Sequence, residues 1–234
     1  MERKKGGLTC NQLKGIALIA MTCDHIGKQL CPQYILLQIV GRLAFPIFAF
    51  MIAEGCRYTS RRRQYLTSMA KMALLCQAVY FLAEGSLYQC ILVTFSLSIL
   101  LVYSADNAMR KKDVFSWFVF GVLLFWVWFL CVIFPGLLAD LLPGTDFAVD
   151  YGVWGVLLPL LVYIGKTKAQ RILLAALALL LLGISMEGIQ WYGLAAVPFL
   201  MFYNGERGGL NLKRFFYLYY PLHLLGIYLA GMVL

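Results

Sequence analysis

Apolar runs dominate this chain and recur at a length typical of membrane-spanning helices. A helix needs about 20 mostly apolar residues to cross the hydrocarbon core of a bilayer. The breaks between runs carry turn-forming sequences such as "AEGS", "LPGTD" and "NGERGGLN". The pattern predicts an all-α, polytopic transmembrane helical bundle of about nine spans. The predicted spans are 13–30, 35–56, 66–83, 88–105, 114–134, 152–165, 172–185, 189–204 and 214–233.

Basic residues collect at alternate breaks between these spans. Lys and Arg are enriched in the short cytoplasmic loops of membrane proteins, so they indicate orientation. The opposite breaks carry mainly acidic residues. The N-terminus is therefore expected to be cytoplasmic and the C-terminus external. The basic clusters are Arg3/Lys4/Lys5, Arg57/Arg61/Arg62/Arg63, Arg110/Lys111/Lys112, Lys166/Lys168/Arg171 and Arg207/Lys213/Arg214.

The composition agrees with a membrane protein and excludes several other classes. The chain is 62% hydrophobic and 13% charged, whereas an ordinary soluble domain is about 25% charged. This composition excludes a disordered or soluble globular protein. The net charge of +9 is accounted for by the basic loops, so nucleic acid is not an expected partner. No soluble domain fits between the spans, and residues 1–234 are expected to form one integral membrane domain in contact with the lipid bilayer.

The cysteines and the first residues carry little functional information. The seven cysteines are scattered mostly within apolar segments without a C-x-x-C motif, so they are expected to pack between helices. The start "MERKKGG" imitates a signal peptide, but no small-residue cleavage pattern follows it. We therefore expect the first span to be retained.

Several ionisable residues fall inside the predicted spans, where each needs a partner or a water-filled cavity. His25 lies about 12 residues beyond the cytoplasmic start of its span, and Arg42 about 7 beyond the external start of the next. His223 lies about 9 residues into the last span. These three are expected to converge on the middle to outer half of the bilayer. The full set is Asp24, His25, Arg42, Glu54, Lys71 and His223.

Each buried group on the first two spans also has a purely structural interpretation. Asp24 can pair with Lys28, which lies four residues on along the same helix face. Asp24 and His25 are adjacent, so on a regular helix they point about 100° apart and need not form a dyad. Arg42 can clamp a carbonyl or Asp24.

Structural interpretations remain for the other groups as well. Glu54 can pair with Arg57 or Arg61 at the membrane interface. His223 can cap the backbone acceptor that Pro221 leaves without a donor. These alternatives stay open on sequence alone.

Proton transfer is the chemistry that this set of residues fits. A neutral imidazole near neutral pH can take a proton from an amine or hydroxyl as it attacks a carbonyl. The chain has only two histidines and no paired cysteines or carboxylates at ligand spacing, so no metal is expected. The residues alone fit an acyltransferase and a proton-coupled transporter equally well.

Four stretches carry a resemblance to a known family. They are "LKGIALIAMTCDHIG", "GRLAFPIFAFMIAEGCRYT", "YGVWGVLLPLL" and "FYNGERGG…KRFFYLYYPLHLLGIYL". In order and spacing they resemble the TraX family, named for the protein that acetylates conjugative pilin. "KGIALIAM" and "FPIFAF" are also similar to the lysosomal heparan-glucosaminide acetyltransferase and the wider transmembrane acyltransferase superfamily.

The resemblance implies a multi-pass enzyme of the bacterial plasma membrane. It would move an acetyl group from cytoplasmic acetyl-CoA to an amine or hydroxyl of a small-molecule, peptide or glycan acceptor at or across the membrane. The acceptor, the acyl length, N- or O-acylation and direct transfer or an acyl-enzyme all stay open. The matching positions are the pair Asp24 and His25, then Arg42, Glu54, the loop residues Tyr203, Asn204, Gly205 and Arg207, and finally Tyr220, Pro221 and His223.

The resemblance implies roles for these residues. We expect His25 to be the general base with Asp24 supporting it. His223 and Arg42 are expected to orient the carbonyl or stabilise the oxyanion. Glu54 and Tyr220 are expected to bind the acceptor.

The phosphates of acetyl-CoA are expected to bind at the basic cytoplasmic edge. Arg207 is favoured because neighbouring glycines permit a close backbone approach and a guanidinium binds phosphate bidentately. Membrane orientation alone also explains these charges. The expected donor-binding residues are Tyr203, Asn204, Arg207, Arg61, Lys213 and Arg214.

Two functions of other classes also fit. A proton-coupled transporter or exporter would use the same buried His and Asp groups to carry protons. A non-catalytic assembly factor for pili or surface polymers would tolerate loss of both histidines.

Overall fold

The computed structural model describes residues 6–209 and 213–233, and the regular elements in these ranges are helical. About 80% of these described residues are helical, as the hydrophobic pattern predicts. The α-helices are α1 (Cys10–Gln29), α2 (Ile35–Gly41), α3 (Ala44–Tyr58), α4 (Arg62–Glu84), α5 (Ile91–Lys111), α6 (Val114–Trp128), α7 (Phe134–Leu141), α8 (Gly152–Ile164), α9 (Lys168–Met186), α10 (Val197–Met201) and α11 (Lys213–Val233).

Within the described ranges, five helical stretches are long and apolar enough to cross a membrane. Each coincides with a predicted span, although the ends differ by several residues. The prediction of a helical protein with several membrane spans is therefore confirmed, whereas the count of nine and the orientation stay predictions. The five stretches are Ile35–Tyr58, Arg62–Leu82, Ile91–Lys111, Val114–Leu141 and Lys168–Met186.

The second and eighth predicted spans are not continuous α-helices. The second span is interrupted at Arg42 and Leu43, between α2 and α3. The span predicted over 189–204 consists of a 3₁₀-helix, Gly188–Ala196, followed by the single turn of α10. A nine-residue 3₁₀-helix is unusually long, because its hydrogen-bond geometry is poorer than that of an α-helix.

The fifth predicted span, 114–134, extends further than predicted. The helix widens into a π-helix over Phe129–Ile133 and then continues as α7. Pro135 has no N–H for the preceding turn, which is the local reason for a change of hydrogen-bond register there. Large apolar side chains on α6, including Phe115 and Phe125, are 73% and 57% exposed. Such exposure is expected of a helix that faces lipid.

The chain divides into two compact units. The first is built from both ends of the chain, Met1–Met51 and Ala175–Leu234, and the second is the continuous segment Ile52–Leu174. In the first unit α1 packs against α2 and α11, and in the second α5 packs against α4, α6 and α8. The interpretation of residues 1–234 as one domain stays a prediction.

A loop from the second half of the chain completes the start of α1. The backbone N–H groups of Cys10 and Asn11 donate to the carbonyls of Glu206 and Arg207, at 2.8 and 3.2 Å. Thr9 and Gln12 form a capping box at the same end. The N–H groups that a helix normally leaves without partners in its first turn are thus largely satisfied here by the chain itself.

Residues of two predicted basic clusters, Arg62 and Arg110, meet at one carboxylate in the second unit. Arg62 on α4 and Tyr163 on α8 donate to the two oxygens of Asp106 on α5, at 2.5 and 2.8 Å. Arg110 lies 3.0 Å from the same carboxylate. These contacts hold the loops that follow α3, α5 and α8 side by side, which agrees with the alternation of basic and acidic breaks.

Other loops of the second unit are joined through acidic side chains. The Ser86 hydroxyl and the Leu87 N–H donate to Asp146 and hold the pKa of this carboxyl below its usual range. The Tyr88 hydroxyl donates to Asp150 at 2.7 Å. The segment after α4 is thus tied to the segment before α8.

Candidate active site

Asp24 and Arg42 form a buried ion pair between α1 and α2. They are 7% and 8% exposed, and Nη2 of Arg42 donates to Oδ1 of Asp24. The other carboxylate oxygen of Asp24 lies 2.6 Å from Nζ of Lys28, one turn further along α1. Both structural pairings that the sequence suggested for Asp24 are therefore confirmed.

The remaining donors of Arg42 point to groups near this pair. Nη1 donates to Oε1 of Gln190 at 3.2 Å, and Nε donates to the carbonyl of Gln38 at 3.3 Å. Gln190 is 5% exposed and lies on the 3₁₀-helix. Its role was not predictable from sequence, because one amide in an apolar segment has no distinctive pattern. With its guanidinium engaged on three sides, Arg42 is better placed to hold these elements together than to bind an oxyanion.

A glycine allows the helix backbones to approach closely at this pair. Gly41 is the last residue of α2, and a Cβ built on it would lie 2.8 Å from Cα of Asp24. Real Cβ atoms essentially never come that close to a backbone atom. The glycine thus allows the carboxylate to sit directly against the end of α2.

His25 and His223, the chain's only histidines, lie next to each other. Their ring centroids are 5.1 Å apart, with 66° between the planes. His25 lies on α1 and His223 on α11, and both are partly buried. The convergence of the two imidazoles that the depth estimate predicted is confirmed.

Tyr219 and Thr22 lie beside the two imidazoles. The Tyr219 ring stacks on His223 at a centroid distance of 5.2 Å and an angle of 11°. Its hydroxyl lies 2.7 Å from Oγ1 of Thr22. Sequence reasoning missed both residues, although each has a recognisable signal: Thr22 lies three residues before His25, and Tyr219 four before His223, on the same helix faces.

The order of these contacts shows that α1 and α11 run in the same direction. Thr22 contacts Tyr219, and further along both helices His25 contacts His223. Beyond them, a Cβ built on Gly231 would lie 3.3 Å from the Leu30 side chain. The residue numbers increase together on both helices, so the two helices are parallel.

The hydrogen bonds of His223 fix which of its ring nitrogens carries a proton. Nδ1 lies 2.9 Å from the carbonyl oxygen of Tyr219. A carbonyl can only accept, so Nδ1 is the protonated nitrogen and, in the neutral ring, Nε2 has the free lone pair. Nε2 is buried and has no hydrogen-bond partner among the residues that the structure describes.

This bond also decides the structural interpretation of His223. Pro221 has no N–H for the carbonyl four residues before it, which belongs to Tyr217. The imidazole donates to Tyr219 instead. The imidazole therefore contacts a different carbonyl from the one that Pro221 leaves without a donor.

The loop "YNGERG" lies at the start of α1. Tyr203 is buried and packs edge-to-face against Phe50 at 6.0 Å, and Oδ1 of Asn204 accepts from the Glu206 N–H at 2.9 Å. Arg207 is exposed. The loop contacts the first turn of α1, which is about 22 Å from His25 along the helix axis at 1.5 Å per residue.

The other predicted site residues are distributed as follows. Tyr220 is buried with its ring 5.6 Å from His223. Glu54 and Arg61 belong to the second unit: Arg61 is exposed before α4, and the buried Glu54 pairs with Arg171. Of the two partners predicted for Glu54, Arg57 and Arg61, the former has its Nε 4.0 Å from Oε1 of Glu54. The side chains of Lys213 and Arg214 lie outside the described residues.

Within the described part of the chain, no group of three or more His, Cys, Asp or Glu side chains could hold a metal ion.

Residues 9–230, which include nearly all of the site, match the model of a family described as "TraX: TraX protein". The chain belongs to the TraX family. It is 28% identical over 248 residues, covering 91% of each chain, to a "Probable fimbrial assembly protein FimC, serogroup H1" of Dichelobacter nodosus. A 38-residue stretch is 53% identical to an uncharacterized protein of Rickettsia prowazekii, covering 16% of this chain and 15% of that one. No solved structure matches this TraX-family protein.

Gly41→Ala is expected to destabilise this TraX-family protein, because the added methyl forces Asp24 away from α2. The cost of such overpacking is about 1–3 kcal/mol. Gly15→Ala is the matched control, since a Cβ there meets nothing within 4 Å. Thermal unfolding in detergent measures the difference. A Gly41→Ala protein as stable as the control would show that the close approach is unimportant.

Arg42→Met is expected to cost about 3–5 kcal/mol, because it leaves the Asp24 carboxylate buried without its main partner. Lys28→Met removes the other cation near Asp24, but its side chain is 48% exposed, so the loss should stay below about 1 kcal/mol. Denaturant unfolding of both variants in the same detergent tests the contrast. Equal losses would mean that burial does not distinguish the two pairs.

Proposed function

We propose that this TraX-family protein is a membrane-embedded acetyltransferase. It moves an acetyl group from cytoplasmic acetyl-CoA to an amine or hydroxyl of an acceptor at or across the membrane. The observation that supports the proposal best is the pair of imidazoles from α1 and α11, one of which has a buried nitrogen lone pair with no partner among the described residues. A general base for acyl transfer needs such a lone pair within reach of the acceptor.

The geometry favours His223 over His25 as the base. The carbonyl of Tyr219 holds the proton of His223 on Nδ1, which leaves Nε2 ready to accept another. The sequence assigned this role to His25. In the proposal His25 becomes the neighbouring imidazole that contacts the base and holds the acceptor group beside it.

The proposed reaction is a direct transfer. The acceptor oxygen or nitrogen forms a bond with the acetyl carbonyl carbon while its proton passes to Nε2 of His223. The carbon–sulfur bond then breaks, and the departing thiolate takes the proton back from the imidazolium. The products are the acetylated acceptor and CoA with a free thiol, and the histidine returns to its starting state.

Asp24 and Arg42 act by positioning in this proposal. Their ion pair is buried, and the Arg42 guanidinium is engaged by Asp24, Gln190 and Gln38. Breaking such a pair leaves an uncompensated charge, so the pair resists rearrangement. The pair holds α1 against α2 at Asp24, the residue before His25. It thereby fixes the position of His25 along α1 and the direction in which its imidazole points.

The donor nucleotide is proposed to bind at the start of α1. The first-turn N–H groups there are already used by Glu206 and Arg207 carbonyls, so phosphate recognition depends on side chains. Arg207 is exposed in this loop, and Lys213, Arg214 and Arg61 remain further proposed contacts. The flexible pantetheine arm of acetyl-CoA then follows α1 from this loop toward His25 and His223.

The acceptor is proposed to be a component of a surface appendage. The similarity to a probable fimbrial assembly protein supports this class, and its acetylated group would be a hydroxyl or amine. The proposal places the protein in the bacterial plasma membrane, with nine spans, a cytoplasmic N-terminus and an external C-terminus. Parallel α1 and α11 support this topology, because parallel helices enter the membrane from the same side.

Substitution of either histidine is expected to abolish most acetyl transfer. In purified protein with labelled acetyl-CoA and membrane fractions that contain pilus or fimbrial subunits, His223→Gln should lower kcat by roughly 100-fold or more, the usual contribution of a general base. His25→Gln should also lower it. The double variant should be no slower than His223→Gln alone, because residues that act as a unit are not additive.

Tyr228→Phe is the matched control for these variants, since Tyr228 is 48% exposed on α11. Wild-type turnover by His223→Gln would overturn the assignment of the base. Absence of CoA release by the wild type, together with substrate flux driven by a pH gradient in proteoliposomes, would favour the transporter instead.

The topology gives a separate expectation for truncated fusions to a reporter enzyme that is active only outside the cytoplasm. The reporter should be inactive after Lys112, active after Gly144 and active after Val233. The first two positions flank the long apolar stretch Val114–Leu141. An inactive reporter after Val233 would contradict nine spans.

A further inference from the structure

We infer that Tyr219, anchored by Thr22, is a positioning residue that sets the proton position and ring orientation of His223. This inference rests on the proposed function, because it concerns the base of that reaction. Tyr219 contacts His223 through both its backbone and its side chain, and it contacts α1 through its hydroxyl.

The direction of the hydrogen bond between Tyr219 and Thr22 follows from the groups around it. Oγ1 of Thr22 lies 2.9 Å from the carbonyl of Leu18 on the preceding turn. A carbonyl only accepts, so the single hydroxyl proton of Thr22 is used there. Oγ1 therefore accepts from the Tyr219 hydroxyl at 2.7 Å. Each hydroxyl in this chain of bonds has one defined role.

The anchored tyrosine fixes the imidazole in two ways. Its carbonyl, at 2.9 Å, holds the proton on Nδ1. Its ring lies nearly parallel to the imidazole at 11°, and this stacking limits rotation about χ2 of His223. If the hydrogen bond to Thr22 is removed, the Tyr219 side chain is no longer hydrogen-bonded to α1. The imidazole can then turn away from the geometry that exposes Nε2.

The anchor also sets the relative position of the two helices. Thr22 and His25 are three residues apart on α1, and Tyr219 and His223 are four apart on α11, so each pair shares a helix face. The polar contact between Thr22 and Tyr219 lies one turn from the contact between the imidazoles. Hydrogen bonds between helices are directional, unlike apolar contacts in lipid, so this bond selects one axial register.

Tyr219→Phe and Thr22→Val test the inference, because each removes one side of the hydrogen bond and keeps the side-chain shape. Each should lower kcat about tenfold with an unchanged KM, the effect of losing one hydrogen bond that positions the base. The double variant should be no slower than either single variant. Tyr228→Phe is the control and should keep the wild-type kcat.

Nitrogen NMR of protein labelled at histidine gives a readout that does not depend on turnover. The chain has two histidines, so His25→Gln assigns the signals. In the wild type, His223 should carry its proton on Nδ1. Both Tyr219→Phe and Thr22→Val should shift this ring toward a mixture of the two tautomers, whereas Tyr228→Phe should not.

The outcomes separate this inference from the proposed reaction. A wild type without acetyl transfer, but with the expected tautomer shifts, would refute the reaction and retain the positioning role. An active wild type whose two anchor variants match it in kcat and tautomer would overturn the positioning role alone. A lower kcat with an unchanged tautomer would also overturn it. Thermal unfolding of each variant checks folding, and Thr22→Val provides the test if Tyr219→Phe does not fold.

Discussion

The buried ion pair between Asp24 and Arg42 is the contact on which the first compact unit depends. Two charges away from water are tolerated only when they face each other with good geometry, so this pair permits one arrangement of α1 against α2. Successive residues on a helix are about 100° apart. Turning Asp24 toward α2 therefore directs His25 to another side of α1, where α11 lies. The adjacent Asp and His serve two different neighbours, and the first contact orients the second residue.

Near the imidazoles the structure combines well-defined hydrogen bonds with one buried atom, Nε2 of His223, that has no partner in the described part of the chain. Thr22, Tyr219 and the backbone carbonyl of Tyr219 complete their hydrogen bonds within the protein. Nε2 of His223 does not complete one among the described residues. A buried polar atom without a partner is costly, and such atoms in native proteins call for an explanation. Here the hydrogen bond to Tyr219 and the stacked Tyr219 ring hold the imidazole in the orientation that leaves this nitrogen without a partner.

Much of the fold follows from simple patterns, but the site only partly does. Length and hydropathy located the helices, and counting residues from each membrane surface placed His25 and His223 at one depth. Depth gives the position along a helix but not the direction of a side chain around it. For this reason Tyr219 and Thr22, ordinary residues in apolar helices, were missed. The pairings of Gln190, Arg171 and Asp106 were not predicted, because their partners are 148, 117 and up to 57 positions away in the chain.

The discontinuous first unit has a consequence for synthesis. The backbone of residues 8–11 bonds to residues 202–207, so the start of α1 cannot be completed until the ribosome has synthesised residue 207. At elongation rates of about 5–20 residues per second, that delay is roughly 10–40 s. The continuous segment Ile52–Leu174 emerges complete during this interval. The first turn of α1 therefore lacks these backbone partners until long after Asp24 and His25 on the same helix have been synthesised.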